Sequence, residues 1–107
     1  MSYNVISIPE FEKELKWLAK KYPSLKKEIA ELFELLETDP TTGTPIGKSC
    51  YKIRLAIAAK GKGKSAGARV ITYCAVTDTT VVLLSIYDKS EQTDIADKDL
   101  QRLLDSI

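Results

Sequence analysis

A chain of 107 residues has the size of one domain with one core, so residues 1–107 read as a single unit. With 44% apolar and 29% charged residues and no apolar run near the roughly 20 residues of a membrane helix, the composition is that of a water-soluble globular protein. The absence of histidine excludes Ser-His-Asp hydrolysis, Cys-His proteolysis and histidine-held metals, and two cysteines are too few for a disulfide framework or a zinc site.

Tyr3 to Ile8 is β-rich and alternates in part, which predicts a first strand. Pro9 stops it and suits the first turn of a helix. Phe11, Leu15, Leu18 and Tyr22 then recur on one helical face, with Glu12, Lys13, Lys16 and Lys20 outside it. Pro23 breaks that helix, and Ser24 is a suitable N-cap for the next. Leu25, Ile29, Leu32, Phe33 and Leu36 form a second stripe, which Asp39-Pro40 ends. So short a joint predicts an antiparallel helical hairpin. Thr41 to Ser49, with Gly43, Pro45 and Gly47, reads as a loop.

The period then changes to two. Tyr51, Ile53, Leu55 and Ile57 alternate with Lys52, Arg54, Ala56 and Ala58, predicting a half-buried strand with one basic face. Lys60 to Ala68 is a Gly-Lys loop and Arg69 to Thr77 a third strand. Asp78-Thr79 is a tight turn, and Val81 to Tyr87 is an apolar, interior fourth strand. Ile95, Leu100, Leu103 and Leu104 predict a short C-terminal helix covering an edge or end. The order βααβββα is α+β, an antiparallel sheet with the helical hairpin on one face. The start, Met1-Ser2-Tyr3-Asn4-Val5, lacks the basic and apolar segments of a signal peptide, which predicts a cytoplasmic protein.

The net charge of +1 hides an uneven distribution. Residues 48–70 carry Lys48, Lys52, Arg54, Lys60, Lys62, Lys64 and Arg69 with no acid, whereas residues 88–107 carry six acids and three bases. Such a block fits a polyanion footprint, and equally a solvated strand and loop. Parity places Lys52 and Arg54 opposite Ile53 and Leu55, on the face away from the hairpin. If registers cooperate, Lys52, Arg54, Arg69, Tyr73, Tyr87 and Lys89 converge on one uncovered face, where cations grip phosphates and tyrosines stack bases. Taken singly, Tyr73 or Tyr87 fits the core as well, but arginines are not buried without partners. Ala58 to Ser65 matches a relaxed P-loop pattern. A P-loop leads into a helix, however, and here the chain leads into a β-rich run.

Tyr51-Lys52-Ile53-Arg54-Leu55, the loop Lys60 to Gly67, Arg69-Val70-Ile71-Thr72-Tyr73 and Leu84 to Glu91 together resemble the RelE/ParE superfamily of bacterial toxins, nearest its RelE/HigB-like branch. The resemblance covers nearly the whole chain. It implies the toxin of a type II toxin–antitoxin pair, a ribosome-dependent, metal-independent mRNA endoribonuclease that inhibits translation and needs no cofactor. ParE-like members share the fold but poison DNA gyrase, and a catalytically degenerate antitoxin-binding module is a further alternative. The family's phosphate-acting positions match Lys52, Arg54, Arg69 and Lys89. Tyr87 is a further candidate for proton transfer. Lys48, Lys60, Lys62, Lys64 and Tyr73 are the expected RNA contacts. Some members carry a C-terminal tyrosine where this chain has Ile95, so the resemblance supplies no general base there.

Cleavage by the RNA 2′-hydroxyl requires a proton acceptor, charge on the phosphate to be offset, and a proton for the leaving 5′-oxygen. Lys52, crowded by Arg54 and Arg69, is the candidate base or acid. The implied partners are mRNA on the ribosome and an antitoxin. The antitoxin is expected to lay an acidic segment over Lys52, Arg54 and Arg69, or to displace the C-terminal helix around Leu100, Leu103 and Leu104.

Overall fold

The computed structural model describes residues 2–58, 66–75 and 79–107. In chain order they form β1 (Asn4–Ser7), α1 (Pro9–Lys21), α2 (Leu25–Thr38), β2 (Thr44–Gly47), β3 (Cys50–Leu55), β4 (Ala68–Cys74), β5 (Thr80–Asp88) and α3 (Asp97–Asp105). Residues 59–65, which include most of the expected Gly-Lys loop of 60–68, and residues 76–78 of the expected third strand and turn lie outside the described residues. Downstream of that loop the chain enters β4, a strand and not the helix a P-loop needs.

Pro9 stands in the first turn of α1, where its missing N–H costs no helical bond. Glu10 and Glu12 in the first turn and Lys20 and Lys21 in the last oppose the helix dipole at both ends. Phe11 and Leu18 from α1 and Leu25, Ile29, Leu32 and Leu36 from α2 are buried in one core with the sheet. Each such side chain contributes about 1.5–3 kcal/mol through apolar burial. Ser24 occupies the N-cap position of α2 without capping it, because its hydroxyl donates to Glu28 Oε1 at 3.3 Å instead.

The sheet order is β1-β5-β4-β3-β2. The α+β architecture expected from the sequence is present, with two differences in detail. First, β1 runs parallel to β5, so the sheet is mixed and not antiparallel throughout. Second, the expected loop 41–49 contains β2, a short edge strand paired with β3. Its four residues follow Gly43, with φ 108°, and end on Gly47, with φ 91°, so no alternation is long enough to reveal it. Pro45 is tolerated there because an edge strand leaves one side without ladder bonds.

β5 is buried along almost its full length between β1 and β4. β1 pairs only with Thr80 to Leu83. Beyond that point Glu14 of α1 takes over the exposed edge, accepting from Ser85 Oγ at 2.9 Å and the Ile86 N–H at 3.4 Å. This capping of the edge strand was not legible in the sequence. Burial, the largest cause, raises the Glu14 carboxyl above its ordinary value against those two hydrogen bonds. A raised folded-state value means stability present below the unfolded value and lost as pH rises through the folded one. Glu14→Gln keeps an oxygen acceptor and removes the charge. Its urea midpoint relative to wild type should therefore be higher at pH 7 than at pH 4.

Cys50 and Cys74 are buried, and burial pushes the Cys50 thiol up to about 11. No helix among the described residues is long and apolar enough to cross a membrane.

Candidate functional site

Residues directly opposite each other in a ladder share a face, and alternation along β3 puts Cys50, Lys52 and Arg54 on the same side. The registers extend these into three rows. Cys50 faces Tyr73, Tyr73 faces Val82, and Val82 faces Ile6. Lys52 faces Ile71, which faces Ser85. Arg54 faces Arg69, which faces Tyr87. A shift between Ile71 and Thr72 lets β5 keep this alignment at both ends.

The first row is covered. Leu104 and Ile107 line a depression of about 480 Å³ with Ile6, Tyr73, Thr80 and Val82. Leu100 and Leu103 of α3 are buried. Polar contacts tie down both flanks of α3: Lys48 Nζ donates to Gln101 Oε1 at 2.8 Å, and Arg102 Nη2 meets Glu10 Oε2 at 3.1 Å. The C-terminal helix thus lies across the sheet face expected to be uncovered and is not confined to an edge. Tyr73 belongs to that apolar row, away from Arg69, and Lys48 is held by α3.

The third row remains as the candidate site. It runs from the surface inward, with Arg54 exposed, Arg69 at 4% and Tyr87 at 5%. Arg69 Nη1 donates to the carbonyl of Ala68 at 3.1 Å. The Tyr87 hydroxyl is buried with no hydrogen-bond partner among the described residues. Burial raises its pKa above the ordinary value, Asp94 adds to the rise, and Arg69 opposes it. The phenol is therefore protonated at neutral pH and has a proton to share. A phosphate oxygen brought to this row would meet the exposed Arg54 guanidinium first, and would reach Arg69 and the Tyr87 hydroxyl only once the groups covering them move.

Lys52 adjoins the row, but it is not crowded by cations alone. Its Nζ lies 3.4 Å from Asp94 Oδ1, with the two side chains 25% and 65% exposed. Asp94 also accepts the Ile95 N–H at 2.9 Å, which fixes the segment entering α3. Asp94 was not among the residues expected at the site. The acidic excess of residues 88–107 was the one available signal. An ion pair this exposed contributes about 0–1 kcal/mol. Asp94→Asn should therefore leave the thermal midpoint nearly unchanged while strengthening binding of an RNA oligonucleotide, read by titration at fixed salt.

Lys89 follows β5 directly and is half-buried, its N–H donating to the Gly67 carbonyl at 3.1 Å. Asp88 holds the turn after it, with Oδ1 accepting from the Ser90 N–H at 3.0 Å and Ser90 Oγ at 2.9 Å. Ile95 packs against the core and offers no proton. Lys60, Lys62 and Lys64 lie outside the described residues.

No family model and no curated protein matches the chain. Solved structures do resemble it. A mutant of the Escherichia coli toxin RelE in the free state is 21% identical, with TM-score 0.54, and the match covers 87% of this chain and 90% of that one. A RelBE toxin–antitoxin complex from Mycobacterium tuberculosis gives 17% identity and TM-score 0.60, over 82% and 92%. The intact Escherichia coli RelBE toxin–antitoxin complex gives 22% and 0.51, over 81% and 96%. At these identities the likeness is one of architecture: the chain has the fold of the RelE toxins.

Proposed function

We propose that the chain is the toxin of a type II toxin–antitoxin pair and cleaves mRNA on the ribosome. The observation that carries this reading is the Arg54, Arg69 and Tyr87 row, with Lys52 beside it, on one face of a RelE-like fold. Arg54 meets the scissile phosphate from the solvent side. Arg69, buried behind it, adds a fixed positive charge where water screens little. Tyr87 donates to the phosphate or gives its proton to the leaving 5′-oxygen. Lys52, once released by Asp94 and having given its own proton to water, is the second proton-handling group and takes the 2′-hydroxyl proton. One proton is taken and one given, so the enzyme returns to its starting state when the two groups re-equilibrate with water. Lys89 stands at the end of β5 to stabilise developing charge, Lys60, Lys62 and Lys64 remain proposed RNA contacts, and Lys48 and Tyr73 join them only when α3 lifts.

Expression without an antitoxin should stop growth and leave mRNAs cut within codons. Growth arrest with DNA damage signalling and intact mRNA would point to gyrase instead, and absence of toxicity would point to a binding module.

The antitoxin is proposed to bring carboxylates to Lys52, Arg54 and Arg69, replacing Asp94, or to lift α3 and its buried Leu100 and Leu103. Charge steering is screened over about 8–10 Å at physiological salt. Association should therefore slow markedly between low and high ionic strength in stopped-flow measurements. A salt-independent rate would contradict the electrostatic mode.

A further inference from the structure

A second concavity, of about 670 Å³, opens between α1 and the end of β5 with the turn after it. Trp17, 61% exposed, stands on its α1 wall, and Tyr87 belongs to its other wall. Tyr87, which is 5% exposed, also belongs to the Arg54 row, so the groove adjoins that row at one shared residue. Its charges are not equivalent. Each carboxylate lining it already has a partner. Glu10 meets Arg102, Glu14 accepts from Ser85, Asp88 accepts from Tyr22 and Ser90, and Glu91 meets Lys21. Lys13, Lys16 and Lys20 line the same groove and form no ion pair among the described residues.

An exposed indole flanked by uncommitted lysines matches a nucleic-acid strand, whose bases stack and whose phosphates need cations. We propose that this groove binds the single-stranded RNA flanking the cleaved phosphate, with one base stacked on Trp17 and the backbone tracked by Lys13, Lys16 and Lys20. The inference rests on the RNA-cleaving reading of the Arg54 row and extends it by a subsite about which the resemblance says nothing. Acidic peptide is the competing occupant. The exposed Trp17 indole favours RNA, because an acidic peptide would pair with the lysines but offers no base to stack on it.

Trp17 is the sole tryptophan, so fluorescence excited at wavelengths beyond the absorption of the five tyrosines reports the groove. The probe is a short RNA oligonucleotide with 2′-O-methyl groups, which binds without being cut. It should quench Trp17 saturably, whereas a poly-glutamate peptide of equal charge should not. Trp17→Ala should weaken RNA binding about tenfold, as expected for loss of one base–aromatic stack, and Trp17→Phe should restore most of it. The side chain is exposed, so circular dichroism should show both variants folded. Quenching by the peptide alone would overturn the proposal. So would RNA binding unchanged in Trp17→Ala. A protein that arrests translation in an Arg54-dependent way but gives no fluorescence response to RNA would keep the function and lose the groove.

Discussion

Arg54→Ala should leave the protein folded and lower RNA cleavage by about two to three orders of magnitude, the usual cost of removing one preorganised group that stabilises transition-state charge. Arg54 is the exposed end of its row, so truncation opens no cavity in the core. Its thermal midpoint should match that of wild type, and single-turnover cleavage should carry the whole loss. Arg54→Lys should recover part of the rate, because it keeps the charge but not the bidentate fork. Arg69→Ala is a poorer probe. Arg69 is buried between β3 and β5, so its truncation affects packing as well as chemistry. A loss of toxicity there would not separate the two.

Gly43→Ala should be strongly destabilising although it removes no buried side chain. Gly43 has φ 108°, and a Cβ would lie 2.6 Å from the Lys52 carbonyl oxygen and 2.9 Å from Ile53 Cγ1. The first neighbour is backbone and cannot swing aside. The strained φ and the overlap together should cost about 2–3 kcal/mol, lowering the thermal midpoint by roughly 10–20 °C in a domain this size. Because the displaced carbonyl belongs to Lys52, the surviving folded fraction should also cleave RNA more slowly. Gly47→Ala is the contrast: it shares a positive φ of 91° but has nothing near its Cβ position, so it should cost less.

These expectations show where the sequence was informative. The helical stripes of α1 and α2 were legible because each recurs over three turns against a polar background, and Pro9, Pro23 and Pro40 mark their limits. Parity on β3 placed Lys52 and Arg54 together because strand alternation has no other solution. The alignment of Arg54 with Arg69 and Tyr87 depended on register, which pattern alone does not fix, and the shift at Ile71 and Thr72 left no trace in the residues. The course of α3 was hidden for a different reason. Leu100, Leu103 and Leu104 announce an amphipathic helix, but which surface it covers is decided by distant partners, Lys48 and Glu10. The same reach hid Asp94, which lies 42 positions from Lys52 in the chain. Only folding shows that the acidic C-terminal segment returns to the basic strand.

The central claim is that the Arg54 row cuts mRNA. The direct test is to add the purified protein to ribosomes programmed with a defined mRNA and map the ends by primer extension. Wild type should produce new ends within the codon held at the decoding site, and folded Arg54→Ala should produce almost none. Equal cleavage by the two proteins, or intact mRNA with wild type, would contradict the account.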